Sequence, residues 1–145
     1  MRILLQILVA AGLAVDAIVH WTFAPDMAGP KPGQIDGDTL FYAQAIVAAI
    51  SGVLVLAWPR RWTFAVAFLV AASAVGALLL YYFVDVGRLG PIPAMHDPAW
   101  YLEKTLSLVG EGVATVAALA GFFLLNRAGR DASAGAGQHR AAGGR

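Results

Sequence analysis

Four stretches of this chain are too long and too apolar to form ordinary surface helices in water. Ile3–Phe23, Leu40–Trp58, Trp62–Val84 and Trp100–Leu125 each have the length to cross a ~30 Å hydrocarbon core at ~1.5 Å per helical residue. A soluble bundle carries polar faces at a ~3.6-residue period, and these segments are apolar nearly all round. Ala45–Ala57 and Phe64–Leu80 hold no charge at all. Charged residues make up 13% of the chain, against ~25% in a soluble domain, so its main solvent is lipid. The expected fold class is an all-α membrane protein, a four-transmembrane-helix bundle over residues 1–126. Residues 127–145, built of Ala, Gly, Ser and Arg without periodicity, read as a disordered basic cytoplasmic tail.

The first segment could be confused with a cleaved leader. Ala24 follows Thr22, a poor small-x-small site, and the apolar region is longer than a leader's. Asp16 and His20 would also be foreign to a leader, so the segment reads as a retained span. Orientation follows from Lys and Arg. With the N-terminus inside, Arg2, Arg60, Arg61, Arg127, Arg130, Arg140 and Arg145 face the cytoplasm, against Lys31, Arg88 and Lys104 outside. Asp26, Asp36, Asp38, Asp85, Asp97 and Glu103 gather at the outer side. Trp21 and Trp100 mark the outer interface, and Trp58 and Trp62 the inner one. The reading is a multi-pass protein of the cell membrane with both termini cytoplasmic.

The connections agree. Trp58-Pro59-Arg60-Arg61-Trp62 is a tight turn whose proline stops the second helix. Residues 24–38 form a Pro-, Gly- and Asp-rich outer loop with Asp38 as N-cap of the second helix. Asp97-Pro98 reads as an N-cap followed by proline at the first helical position of the fourth.

The polar exceptions inside the spans carry the functional signal. At ~100° per residue, Gln6, Asp16 and His20 lie within about 80° on one face of the first helix, and Asp16 and His20 are an i,i+4 pair. Glu103, Ser107, Glu111 and Thr115 recur every fourth residue and form one stripe on the last helix. Gln44 enters from the second helix, and Tyr81 and Asp85 form a pair near the outer end of the third. Helix rise puts His20 and Glu103 ~5 Å below the outer surface, Asp16 ~11 Å and Glu111 ~16 Å. An ionisable group at mid-bilayer costs ~2.5–3.5 kcal/mol on insertion scales, so Asp16 and Glu111 need protons or partners.

The candidate ligand or ion pocket is therefore Asp16, His20, Gln44, Tyr81, Asp85, Glu103, Ser107 and Glu111. One imidazole and several carboxylates suit a divalent metal or a proton relay, although their spacing matches no fixed metal motif. The competing reading is interhelical glue, worth ~0.6 kcal/mol per bond. Met27, Met95 and His96 in the outer loops offer copper-type ligands, but three methionines in the chain are too few for a metal-handling tract. His139 sits in the tail and carries no chemistry in this reading.

Other classes are excluded. A net charge of +1 gives no basic field to recruit nucleic acid. Absence of cysteine removes disulfides, thiolate metal sites and thiol nucleophiles. No nucleophile elbow, P-loop, dinucleotide fingerprint or metalloprotease helix occurs. Nothing specifies a cofactor. Small residues (Gly12, Gly52, Ala72, Gly76, Gly110, Ala114, Ala117, Ala118, Gly121) allow close helix approach, within one bundle or across a homo-oligomer.

His20 near the outer end of the first helix, Leu40-Phe41-Tyr42-Ala43-Gln44-Ala45 opening the second, Pro59-Arg60-Arg61 in the turn and acids in the fourth helix give the chain a recognisable layout. Over residues 1–126 it resembles small four-helix membrane proteins of high-GC bacteria, and its architecture is similar to that of DoxX-like proteins. The resemblance implies the four-helix layout and assigns no functional residue. Three roles remain open from sequence: a membrane protein binding a small ligand, proton or ion in its outer-half pocket; a structural subunit of a larger membrane complex; and a metal- or quinone-linked membrane enzyme.

Overall fold

In a computed structural model the described residues are 1–29 and 33–142, with side chains described as far as residue 130. Lys31, and the side chains of His139, Arg140 and Arg145, lie outside them. Four α-helices dominate: α1 (Arg2–Phe23), α2 (Gly37–Ala57), α3 (Arg61–Phe83) and α4 (Leu102–Ala142). A single 3₁₀ turn, Ala24–Met27, follows α1. All four helices are long and apolar enough to cross a membrane. Ile35 N–H donates to the Pro91 carbonyl (2.8 Å) and Arg88 donates to the Gly33 carbonyl (2.9 Å), tying the connection before α2 to loop 84–101. Both loops thus lie at one end and the 58–60 turn at the other, so the helices alternate up and down.

The distribution of polarity is the reverse of a soluble protein's. Side chains on the outside are large and apolar: Ile3, Ile7, Ile18, Ile50, Val53, Leu69, Val109 and Val116 are all exposed. The centre packs Val9, Leu13, Val55 and Phe64 with many small residues, Ala48, Ala67, Ala71, Ala114 and Ala118, and it also takes in Gln6, Asp16, Ser51, Thr63, Ser107 and Glu111. Such an exterior is stable only against lipid or another apolar surface. Trp21, Trp58, Trp62 and Trp100 are all exposed, in pairs at the two ends.

Each helix buries one narrow stripe. On α1 it is Gln6, Val9, Gly12, Leu13 and Asp16, spacings of three and four that keep one face inward. Where α1 crosses α4 the two backbones approach directly. A Cβ on Gly12 would strike the Gly110 carbonyl oxygen and the Cβ of Ala114. This crossing sets the site, because Asp16 lies one turn beyond Gly12 and Glu111 immediately follows Gly110. A second tight contact joins α3 to α4, where Phe64 occupies the space that a side chain on Gly121 would need.

Several boundaries differ from expectation. The N-cap of α2 is Asp36, not Asp38; Asp38 lies in the first turn and accepts from the Thr39 N–H (2.6 Å). The last helix begins at Leu102, so Asp97-Pro98 do not cap it directly. Instead Asp97 accepts from the Ala99 N–H (3.1 Å), folding the approach to the helix into a turn. α3 ends at Phe83, one residue before the expected end of the third span. Residues 127–130 are exposed, and helical backbone continues to Ala142.

Candidate functional site

The 3.6-residue repeat of α1 turns Asp16 and His20 to the same side. Asp16 is wholly buried. His20 Nδ1 lies 2.6 Å from Asp16 Oδ1 and 3.1 Å from the Asp16 carbonyl oxygen. The second Asp16 oxygen, Oδ2, accepts from Gln44 Nε2 of α2 at 2.9 Å. The His20 ring packs against Phe41 of α2, with centroids 5.0 Å apart.

From α4, Glu111 is also wholly buried. Its Oε1 accepts from Ser107 Oγ at 2.6 Å. Thr115, one turn further along, donates to the Glu111 backbone carbonyl (2.7 Å). The expected stripe therefore exists, with Ser107 aligning the Glu111 carboxylate and Thr115 bonding only to backbone. Glu111 Oε2 has no hydrogen-bond partner among the described residues.

The two arrangements meet. Ligand-capable atoms of Asp16, His20 and Glu111 all lie within 4.8 Å of one another. Counted from the observed start of α4 at Leu102, Glu111 lies ~13 Å along its helix, closer to the ~11 Å of Asp16 than the ~16 Å expected.

Above this cluster a cavity of about 730 Å³ opens toward the loop end. All four helices and both loops contribute to it. Its floor holds His20, Gln44, Ser107 and Glu111, and its walls include Val19, Phe23, Phe41, Leu78, Tyr81 and Tyr101. Glu103 stands on the wall, half-buried. Tyr81 lines the cavity too, and its backbone carbonyl accepts from the Asp97 N–H (3.2 Å) and lies 2.8 Å from His96 Nδ1. Met27, Met95 and His96 all line the mouth.

Asp85 does not join this group. It lies past the end of α3, where i,i+4 spacing no longer puts it on a face with Tyr81. It is exposed and accepts from the Gly87 N–H (3.1 Å). Gln6 is also separate, its amide donating to the Val55 carbonyl at the far end of α2 (3.1 Å).

One residue at the mouth was read from sequence only as an outer charge. Lys104 Nζ lies 2.9 Å from Asp97 Oδ2 and donates to the carbonyls of Asp97 (2.6 Å) and Ala99 (2.7 Å). It also stands 4.8 Å from the centroid of the Tyr101 ring. Asp97 accepts from the Tyr101 hydroxyl as well, at 3.1 Å. The hydrogen bond from Lys104 is the main reason the Asp97 carboxyl is held below its usual 3.8. These contacts fasten the end of loop 84–101 beside the cavity. The available signal was a lysine in the first helical turn seven residues after an aspartate, flanked by aromatic residues.

The fold and this arrangement define a class, the small bundle of four membrane-length helices with a mostly apolar chamber at one end that closes on a few polar groups. Comparison with family models, curated proteins and solved structures finds no match for the chain.

Proposed function

We propose that this protein binds a small amphipathic molecule in the chamber at the loop end of its bundle. His20 and Glu111, with Asp16 buried behind them, engage the polar part, and the aromatic and aliphatic walls hold the apolar part. The cell membrane is its site, with both termini cytoplasmic, as the bias of Arg and Lys supports. One observation carries the reading: a cavity of about 730 Å³ ends on buried ionisable groups instead of on packed side chains. Ligand pockets are commonly ~300–1,000 Å³, mostly apolar, with a few convergent polar groups. Pure interhelical glue would leave each polar group paired with its neighbour, whereas Glu111 Oε2 is buried without a partner.

The test is purification in mild detergent followed by mass spectrometry of extracted small molecules. Wild type is expected to carry an organic molecule that Ala74→Phe, which fills the α3 wall, loses. Asp16→Asn and Glu111→Gln are expected to accumulate and melt much as wild type does. Failure of both variants to accumulate, or a bound molecule indifferent to Ala74→Phe, overturns the reading.

A further inference from the structure

We infer that the floor of the chamber is a binding site for one divalent transition-metal cation of the Mn²⁺, Fe²⁺ or Zn²⁺ type, held by Asp16, His20 and Glu111. The inference rests on the proposed cavity as the ion's way in, and on no other part of that reading.

The donor set comes first. One imidazole nitrogen and two carboxylate oxygens lie within 4.8 Å of one another, close enough for a single ion with metal–ligand distances of ~2.0–2.2 Å to contact all three. Imidazole favours Zn and Fe, and carboxylate oxygen favours Mn, so the mixed set selects that group and not soft Cu(I). An independent observation points the same way. Glu111 is 0% exposed, it faces the cavity, and its Oε2 has no partner. A buried carboxylate oxygen without a donor is rare and costly, and a cation would offset that cost.

Charge balance agrees. Metal ligands bind deprotonated, so in the bound state two carboxylates and an imidazole carry about −2, an expensive charge inside a membrane span. A divalent ion neutralises it. The supporting residues resemble an outer ligand shell. Gln44 holds Asp16 Oδ2 at 2.9 Å and Ser107 holds Glu111 Oε1 at 2.6 Å. Each fixes the orientation of its carboxylate while leaving the other oxygen available, the usual way proteins align metal ligands. In binding, the ion displaces the contact between His20 and Asp16 Oδ1. Three protein ligands leave a coordination position directed at the cavity, the pattern of sites that bind an exogenous molecule on the metal.

The experiment uses the full chain in detergent, stripped with chelator and dialysed separately against Mn²⁺, Zn²⁺ and Mg²⁺. Elemental analysis is expected to find about one Mn²⁺ or Zn²⁺ per chain, with little Mg²⁺. Glu111→Gln and Asp16→Asn should each lower affinity at least tenfold, and Gln6→Ala should leave it unchanged. Equal binding by wild type and Glu111→Gln, or no binding by wild type, overturns the site. Metal without a co-purified organic molecule supports this inference and counts against the small-molecule reading. An organic molecule without metal does the reverse.

Discussion

The two ends of the bundle use similar residues to opposite effect. At the end of the 58–60 turn, polar groups close the structure. Gln6 reaches from α1 to the Val55 and Leu56 carbonyls (3.1 and 3.4 Å), which lie in the last turn of α2 where backbone oxygens lack helical partners. The Thr63 hydroxyl contacts the Trp58 and Arg60 carbonyls at 2.8 and 2.7 Å. Phe64 fills the space against Gly121. At the loop end, polar groups face one another across α1, α2 and α4, and the helices enclose space above them. A buried polar residue in a membrane bundle is glue when its partner is a backbone group left free by a helix end. It is a candidate site when its partners are other ionisable side chains beside a cavity.

The comparison breaks most sharply at the closed end. Phe64→Ala should destabilise the bundle by about 3–5 kcal/mol, the range for deleting a buried aromatic ring, read as a large drop in melting temperature in detergent. The same variant should leave metal binding at the floor intact in the folded fraction. Next is the crossing that joins the two regions. Gly12→Val places atoms where the Gly110 carbonyl and Ala114 stand. It should cost about 1–3 kcal/mol and, unlike Phe64→Ala, weaken the cation site by separating Asp16 from Glu111. Gln6→Ala should lower stability by only about 0.6–1 kcal/mol in the same melt.

The smallest effect belongs to the fastening at the mouth. Folding lowers the Asp97 carboxyl below its usual 3.8. Its contribution is therefore complete above that pH and is lost as pH falls through the lowered folded value. With Trp21, Trp58 and Trp62 replaced by Phe, Trp100 fluorescence should hold constant from neutral pH down to about 4 and change below it. Lys104→Met should abolish that transition. A Trp100 signal insensitive to either change would mean that the contact does not hold the loop.

Much of this contrast was legible in the chain. Absence of charge over Ala45–Ala57 and Phe64–Leu80 gave the spans, because hydrocarbon tolerates few alternatives to a helix. Fourfold spacing gave the Ser107–Glu111 pair and the Asp16–His20 pair, because helix periodicity alone decides those. Gln44 was placed by its level in α2. Asp85 was misplaced because a helix end two residues earlier removes a residue from its face. The start of α4 was misplaced because Asp97 uses its side chain to fold a turn with Ala99, an alternative open to any aspartate before proline. Separation of Gln6 from Asp16 was legible from helix rise, ~15 Å over ten residues, but the backbone group it meets was not, since that depends on how helices rotate against one another. The role of Gly12 and Gly110 was visible as small residues and not as the contact that brings the two acids together.

The central claim is that Asp16 of α1 and Glu111 of α4 meet at the base of one chamber. Since the chain contains no cysteine, the direct measurement is thiol cross-linking of an Asp16→Cys, Glu111→Cys double variant in native membranes, with Hg²⁺ as the bridging ion. A protease site inserted between Pro59 and Arg60 then separates α1–α2 from α3–α4. The account predicts that the halves stay joined after cleavage, and that pairing Asp16→Cys with Leu106→Cys, on the exposed side of α4, leaves them free. Halves that separate equally in both double variants would contradict it.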